Sequence, residues 1–562
     1  MRKLVFALAG LALALPAPAV AARFAVGVER GFSAERVAER IEAKTGRRPS
    51  TIGPFALAVD ARTSAGLESV RGVAYVERLS SPRRLAFAPN DPFAPRQWYL
   101  DRIRAFEAWT KVPALVPVRV AIIDSGVDAD HPDLQGSIFA GRSFVGSSWR
   151  KDTNGHGTFV AGLIAAGLNN NVGIAGIAFP SQLLIAKVVK PDQTISLEAE
   201  ARAIRWAVDN GAQVINLSFG GVRDPRNPAR DTYSPLEAAA VEYAVRNGVL
   251  VVAAVGNSDR PGEEPYQWAS YPAALPHVLG VSAIDRDGSV PTFSNWDQIY
   301  NDLAAPGEGV FSTIPRGLTA TGVSRISCVQ LGYSDCGPAE FRRGEGTSFA
   351  APQVTAAAAL LLAEYPLLRP EQATTILQSS ALDATPARGC RRCSPGHDAY
   401  TGWGVLDIAA AVDTLNAPLP DADFNEPNDE AGRRAPRLWG KRRKNLVATI
   451  DYWQDQTDVY AVRLRKGQRI RATLVGPADA ETKLFLWKPG TRRVGDFADQ
   501  RKLAARATVG DVRRIRYTAP ARGWYYLQVK VSARGWGKYT LRYFKRAPAK
   551  VERGPARPGR VA

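Results

Sequence analysis

The chain has 562 residues, 45% hydrophobic and 23% charged, with a formal net charge of +19. That length is too great for a single domain and gives about two to four units room for substantial cores. The composition excludes a largely disordered chain and a protein of many membrane spans.

Arg2 and Lys3 precede an apolar run from Leu4 to Leu15, and Ala19-Val20-Ala21 follows as a small-x-small cleavage pattern. This predicts a secretory signal peptide over residues 1–21, cut after Ala21 or Ala22, and an exported protein. The other reading, an uncleaved anchor, calls for a longer apolar run. Residues 22–88 predict a small α+β unit. Phe24, Val26 and Val28 alternate like a half-buried strand, and Val37 and Ile41 stand at helical spacing in Ser33–Lys44, with Gly46 as a stop. Leu57–Val59 and Val73–Val76 are further strands, around a short helix near Ala65–Val70. A Pro-rich stretch, Pro82 to Pro95, follows.

Strands and helices alternate over residues 89–416. Val118–Ile123 is an apolar run ending in Asp124, and Leu183–Val189, Val214–Leu217, Val249–Ala254 and Val278–Val281 repeat the pattern. Leu197–Asn210 reads as a helix closed by Gly211. This alternation predicts an α/β domain, a parallel sheet with helices on both faces. Pro418 and Pro420 open a polar linker over 417–430. Residues 431–546 then alternate in short segments, as in Asp458–Leu464, Ile470–Leu474, Lys483–Trp487, Trp524–Val529 and Tyr539–Tyr543, which predicts an antiparallel β-sandwich. The tail, 547–562, is Pro- and Arg-rich and predicts disorder.

The charge sits at one end. Residues 421–562 hold 33 Lys and Arg against 14 Asp and Glu, a net of +19, so residues 1–420 sum to zero. Lys441–Lys444 and Arg513–Arg516 are local concentrations, with Trp439, Trp453, Trp487, Trp524 and Trp536 among them. A solvated basic face explains this, and so does attachment to a polyanion: an acidic envelope polymer, anionic lipid or extracellular nucleic acid. Four cysteines in an exported chain favour disulfides over a four-cysteine zinc site, and three pairings stay open.

Three segments carry chemistry. Asp124 ends a buried strand in Ile122-Ile123-Asp124-Ser125-Gly126, where a carboxylate can orient a histidine. Asn154-Gly155-His156-Gly157-Thr158 opens an apolar helix. Gly346-Thr347-Ser348-Phe349-Ala350-Ala351-Pro352 opens another, with the hydroxyl at the positive end of the helix dipole. Pro352 reads as tolerated because first-turn N–H groups lack helical partners. A carboxylate, an imidazole and a serine in these settings are the parts of nucleophilic acyl transfer. Singly, each has an ordinary reading as a strand-end cap, a core histidine or an N-cap. His131, His277 and His397 have no such context and read as structural or exposed.

From Asn90 to Leu415 the chain resembles the subtilisin family, whose triad runs Asp, His, Ser. The resemblance implies a secreted serine endopeptidase, a monomer, with Asp124, His156 and Ser348 catalytic and Asn257 donating to the oxyanion. Ser218, Phe219 and Gly220 would pair with an extended protein or peptide substrate, and Ser270, before Tyr271-Pro272, would lie near the floor of the S1 pocket. A small neutral residue there argues against strict selection of Arg or Lys, although Glu263 and Glu264 are near in sequence. The family's second histidine, three residues after the catalytic one, is here Phe159, and its methionine after the serine is Phe349. Thermitase-like members also bind Ca²⁺, which assigns Asp91, Asp133 and Asn170 side chains and the carbonyls of Gly167, Val172 and Ile174 as ligands. The N-terminal unit resembles the family's inhibitory prodomain, which makes the protein a self-inhibited zymogen. Asp423-Phe424-Asn425-Glu426-Pro427-Asn428-Asp429 resembles the start of the bacterial pre-peptidase C-terminal sandwich. The alternative is a catalytically inactive relative acting as a polyanion-binding adhesin.

Overall fold

The computed structural model describes residues 22–29, 31–61, 64–78, 87–111, 116–179, 181–257, 265–319, 333–334, 340–415, 423, 425–433, 435–478, 480–492, 494, 501–510 and 512–547. The signal-peptide segment, Glu263, Glu264, Cys328, Cys336 and the tail after Ala547 lie outside these. Among the described residues no helix is long and apolar enough to cross a membrane. The chain divides into two compact units, Met1–Leu85 and Ala86–Ala562.

In the first unit, strands β1 (Ala22–Val28), β2 (Ser50–Gly53), β3 (Ala56–Ala61) and β4 (Val73–Arg78) form an antiparallel sheet of order β2-β3-β1-β4. The helix Ala34–Thr45 starts at Ser33, whose side chain accepts from Arg36 N, and ends at Gly46 in the left-handed region. Its apolar face, Val37 and Ile41, buries against Phe24, Val26, Leu57 and Val59.

In the second unit seven strands form one parallel sheet: β5 (Arg119–Asp124), β6 (Ile138–Ser143), β7 (Gln182–Lys187), β8 (Val214–Leu217), β9 (Leu250–Ala254), β10 (Val278–Ile284) and β11 (Leu303–Pro306). Their order is β11-β10-β9-β8-β5-β7-β6. The continuous apolar runs follow from this, because helices cover both faces and every residue of β8, β9 and β10 is buried. After β5 the chain builds to one side through β6 and β7, then crosses back to place β8 on the other. The crevice beyond the carboxyl ends of β5 and β8 is therefore the topological switch point, where open α/β sheets place their sites. The helix Thr347–Glu364, which carries the serine at its start, is mostly apolar because every residue but Ser348 and Glu364 is buried.

A small sheet of β12 (Val310–Thr313), β13 (Tyr333–Ser334) and β14 (Phe341–Gly344) flanks this domain. Nine further strands make two antiparallel-rich sheets packed on one core: β15 (Arg437–Leu438), β16 (Arg442–Asp451), β17 (Thr457–Leu464), β18 (Arg469–Val475), β19 (Thr482–Trp487), β20 (Leu503–Ala507), β21 (Val512–Thr518), β22 (Gly523–Val531) and β23 (Trp536–Arg546). Their orders are β15-β17-β22-β19-β20 and β16-β23-β18-β21. Tyr460, Leu484, Leu527 and Leu541 lie in the shared core.

Within the expected linker Asp423 and Asn428 are buried, Asp423 Oδ2 accepts from Thr449 N at 3.0 Å, and Asn428 O accepts from Val459 N at 2.8 Å. One expectation needs correction. Pro352 is the sixth residue of its helix and not in the first turn. Of the cysteines, Cys390 and Cys393 are disulfide-bonded.

Candidate active site

Asp124 is the last residue of β5 and is 2% exposed. Both of its carboxylate oxygens lie 2.9 Å from His156 Nδ1, and Ser125 N donates to Oδ1 at 2.6 Å. The imidazole keeps a quarter of its surface open. Burial pulls its pKa down, but the charge and hydrogen bond of Asp124, with the charge of Asp152, outweigh this and raise it. His156 starts its helix, and an added Cβ at Gly157 would sit 2.1 Å from Gly126 O, so only glycine lets the helix start this close to the β5 loop.

Sequence reasoning missed what holds the imidazole-bearing turn. Asp152, fully buried, accepts from Gly155 N at 2.8 Å, from Thr158 N at 2.9 Å and from Thr158 Oγ1 at 2.7 Å. Ser125 Oγ donates to it at 2.9 Å and accepts from Gly157 N. An acid four residues before a helix-opening histidine was the available signal.

Ser348 Oγ donates to Ser218 O at 2.9 Å, and among the described residues it makes no hydrogen bond to His156. Catalytic hydrogen bonds often form only in the substrate complex. Pro352 has no N–H to give the Ser348 carbonyl four residues earlier, and Ser218 Oγ fills that place at 2.8 Å. Asn257 Oδ1 accepts from Thr347 N and Thr347 Oγ1, both at 2.8 Å. That fixes the amide with Nδ2 beside Gly346, where an added Cβ would lie 3.1 Å from it.

Ser218, Phe219 and Gly220 follow β8, and the next residue, Gly221, exchanges hydrogen bonds with Tyr271 at 2.8 and 2.9 Å. Ser270 is buried, its N donating to Val255 O at 2.8 Å and its Oγ accepting from Asn295 Nδ2 at 3.4 Å. Behind His156 stand aromatic rings: Phe349 at 5.4 Å, Phe159 at 4.1 Å from Phe349, and Tyr333 stacked on Phe159 at 5.6 Å.

The three segments singled out for Ca²⁺ meet. Asp91 accepts from Asn169 N and Asn170 N, and Asp133 Oδ2 accepts from Ile174 N at 2.8 Å. Both carboxylates are buried. Burial first, then the charge of Asp91, pushes Asp133 up to about 6. Gly173 has φ +53, and a Cβ there would lie 2.2 Å from Asp133 Oδ2, so the loop is cut to fit a carboxylate. Asn170 differs from expectation: its Nδ2 donates to Asp133 Oδ1 and its Oδ1 accepts from Val172 N. To serve as an oxygen ligand its amide must turn over.

A second oxygen cluster went unread. Asp423, Glu426, Asp455 and Asp458 each bring a carboxylate oxygen within 4.8 Å of the others. Asp455 and Asp458 are buried, and one oxygen of each has no hydrogen-bond partner. Burial, then the charge of neighbouring carboxylates, raises Glu426, Asp455 and Asp458 far above the ordinary range. His277 stands beside it, 3.4 Å from Asp429 Oδ2, and is neither isolated nor remote from charge. The acid spacing 423, 426, 455, 458 was visible but was divided between a linker and a strand.

A family profile described as "Subtilase family" matches residues 117–404. Subtilisin DY of Bacillus licheniformis is 35% identical over 296 residues, 52% of this chain and 90% of that protein. Thermitase of Thermoactinomyces vulgaris is 34% identical over 50% of this chain and 86% of its own. The major intracellular serine protease of Bacillus subtilis (strain 168) is 36% identical over 46% and 72%.

Proposed function

This chain belongs to the subtilase family and is a serine endopeptidase, and from that premise we propose that Ser348, His156 and Asp124 carry its chemistry through an acyl-enzyme. The observation that supports this best is the pairing of a buried strand-end carboxylate with His156 Nδ1, which leaves Nε2 free to act as base. Ser348 Oγ leaves Ser218 O, gives its proton to Nε2 and attacks the scissile carbonyl. Asp124 orients the ring and stabilises the imidazolium. The oxyanion faces Ser348 N–H and Asn257 Nδ2, a pair of donors held before charge develops. Nε2 then protonates the leaving amine, and water repeats the sequence on the acyl-enzyme.

The substrate runs as an added strand along residues 218–220, with Ser270 at the pocket floor. Asp91, Asp133, Gly167, Asn170, Val172 and Ile174 fit a structural Ca²⁺, supplying two buried carboxylates and loop oxygens to a hard cation. The oxygen cluster at Asp423, Glu426, Asp455 and Asp458 has the same chemistry. The chain is exported by residues 1–21 and self-inhibited by residues 22–88. Its basic C-terminal region binds a polyanion. A non-catalytic adhesin finds no support in relatives named as proteases.

Labelling with a fluorophosphonate tests the assignment. Wild-type protein is expected to label and to cleave casein, and Ser348→Ala to do neither. Casein cleavage by Ser348→Ala at the wild-type rate rejects it.

A further inference from the structure

In the sheet of order β16-β23-β18-β21, alternate residues face the core and solvent. Ile470, Leu474, Ile515 and Leu541 point inward. The opposite face carries arginine. Arg471 on β18 faces Arg516 on β21 and Phe544 on β23, and Phe544 faces Arg442 on β16, so one row crosses all four strands. Arg546 faces Arg469 in the row beside it, and on the other side Thr473 lies between Arg542 and Arg514. All seven arginines are exposed.

Neighbouring strands are about 4.8 Å apart and same-face residues about 7 Å apart along a strand, so the seven cations form a close array. Like charges directly opposite one another destabilise a sheet. The only acid in these four strands is Asp451, which is buried at the far end. Among the described residues no salt bridge involves any of the seven. Among the described residues this repulsion has no internal remedy.

We propose that this face docks onto an anionic phospholipid surface. The inference rests on the reading of the basic region as anion-binding and not on the peptidase chemistry. Two features favour a lipid surface over a threadlike polyanion. The charge extends in two directions, so a single strand of nucleic acid or acidic glycan would cross one row and leave the others unneutralised. Large apolar side chains are exposed on the same face: Phe544 at 42%, Val447 at 51% and Val475 at 38%. A leaflet reaches every row at once and receives those side chains at its interface, with arginine stems spanning the boundary and guanidinium forks on phosphate. The arginine rows lie at the opposite end of β16 from Asp451, whose Oδ2 accepts from Thr375 Oγ1 of the peptidase domain at 2.8 Å, so docking leaves that contact free.

The test is co-sedimentation of the full chain with vesicles of phosphatidylglycerol and phosphatidylcholine, and with pure phosphatidylcholine, from low to high salt. Binding to the anionic vesicles alone is expected, falling as salt rises. Each basic residue near an anionic leaflet contributes roughly fivefold in partitioning, so Arg442→Gln, Arg471→Gln and Arg516→Gln together lower it on the order of 100-fold. Their melting temperature and hydrolysis of a small peptide are expected to match wild type. The three Lys replacements are expected to keep most of the binding, which separates charge from misfolding. Equal binding to neutral vesicles, or wild-type binding by the Gln variant, overturns the proposal. Binding to an oligonucleotide or acidic glycan but not to vesicles rejects lipid and keeps an anion-binding region. Binding to none of them rejects both.

Discussion

The rings of Phe159 and Phe349 meet at a centroid distance of 4.1 Å, directly behind His156. These are the two positions where the chain departs from the family pattern in its motif segments, and they are a single packing unit. Where the resemblance leads one to expect a histidine and a methionine, two phenyl rings fill one space, with Tyr333 stacked beyond them. Aromatic pairs of this kind contribute about 0.5–1.5 kcal/mol beyond the area they bury.

One consequence concerns oxidation. The only methionine of the chain is Met1. Sulfoxide formation beside the nucleophile is therefore closed off, and activity is expected to persist in peroxide. Phe349→Met restores an oxidisable thioether at the residue following Ser348, and it should make activity peroxide-sensitive at a stability cost of about 1 kcal/mol. Parallel inactivation time courses decide this. Equal loss in the two proteins is the result that counts against it.

The pH profile follows from His156. The base must be neutral, and its pKa is raised because Asp124 and Asp152 outweigh burial. Activity is therefore lost as pH falls through that raised value, so the acid limb of kcat/KM is expected above about pH 6.5. Asp124→Asn removes the charge that acts more strongly on the ring. The midpoint should move down and kcat should fall about 10⁴-fold, since the ring also loses its orienting acceptor. An unmoved midpoint would mean that the limb belongs to another group.

Metal removal has a sign as well. Asp133 is buried beside Asp91, with its pKa pushed up to about 6, and a cation between such groups favours the folded state by mass action. Chelation is expected to lower Tm, and Asp133→Ala to remove part of that drop. If Asp133→Ala leaves the whole EDTA effect in place while Asp458→Asn abolishes it, the stabilising ion sits in the sandwich cluster instead. A melting curve left unchanged by EDTA, in protein confirmed to be calcium-free after the chelation, excludes both.

The sequence announces the parallel sheet because β7 to β10 are buried on both faces and so read as unbroken apolar runs. Asp124 and His156 were legible for a related reason: each stands where a regular element begins or ends, and such positions carry sharp local patterns. Strands β16 and β21 were not read as strands. Arg442-Arg443-Lys444 and Arg513-Arg514-Ile515-Arg516 look like charge runs, although in β21 Arg513 and Ile515 point inward while Arg514 and Arg516 are exposed. Alternation is visible only when the outer residues contrast with the inner ones, and an arginine strand with one buried arginine blurs that contrast. Asp152 and the 423–458 acids left only weak local signals, because their partners are backbone N–H groups, hydroxyls and carboxylates that come together only in the fold.

The last prediction concerns Ser218 and Pro352, whose connection no pattern in the sequence reveals. Pro352 lacks the N–H that would bond Ser348 O, and Ser218 Oγ supplies the missing donor at 2.8 Å. Ser218→Ala leaves a carbonyl at the nucleophile's own residue without that partner, and the expected cost is about 1–3 kcal/mol. In a Pro352→Ala background the restored N–H can take the carbonyl, so the same substitution should cost less by about 1 kcal/mol. Asn216 Nδ2 also donates to Ser218 Oγ, at 2.9 Å, but that loss is common to both backgrounds and cancels in the cycle. Ser348→Ala protein is the suitable parent, because it keeps the carbonyl and prevents self-digestion during denaturant titration. If Ser218→Ala costs the same with Pro352 present or replaced, the hydroxyl is not the helix's missing donor, and its role lies in holding Asn216 alone.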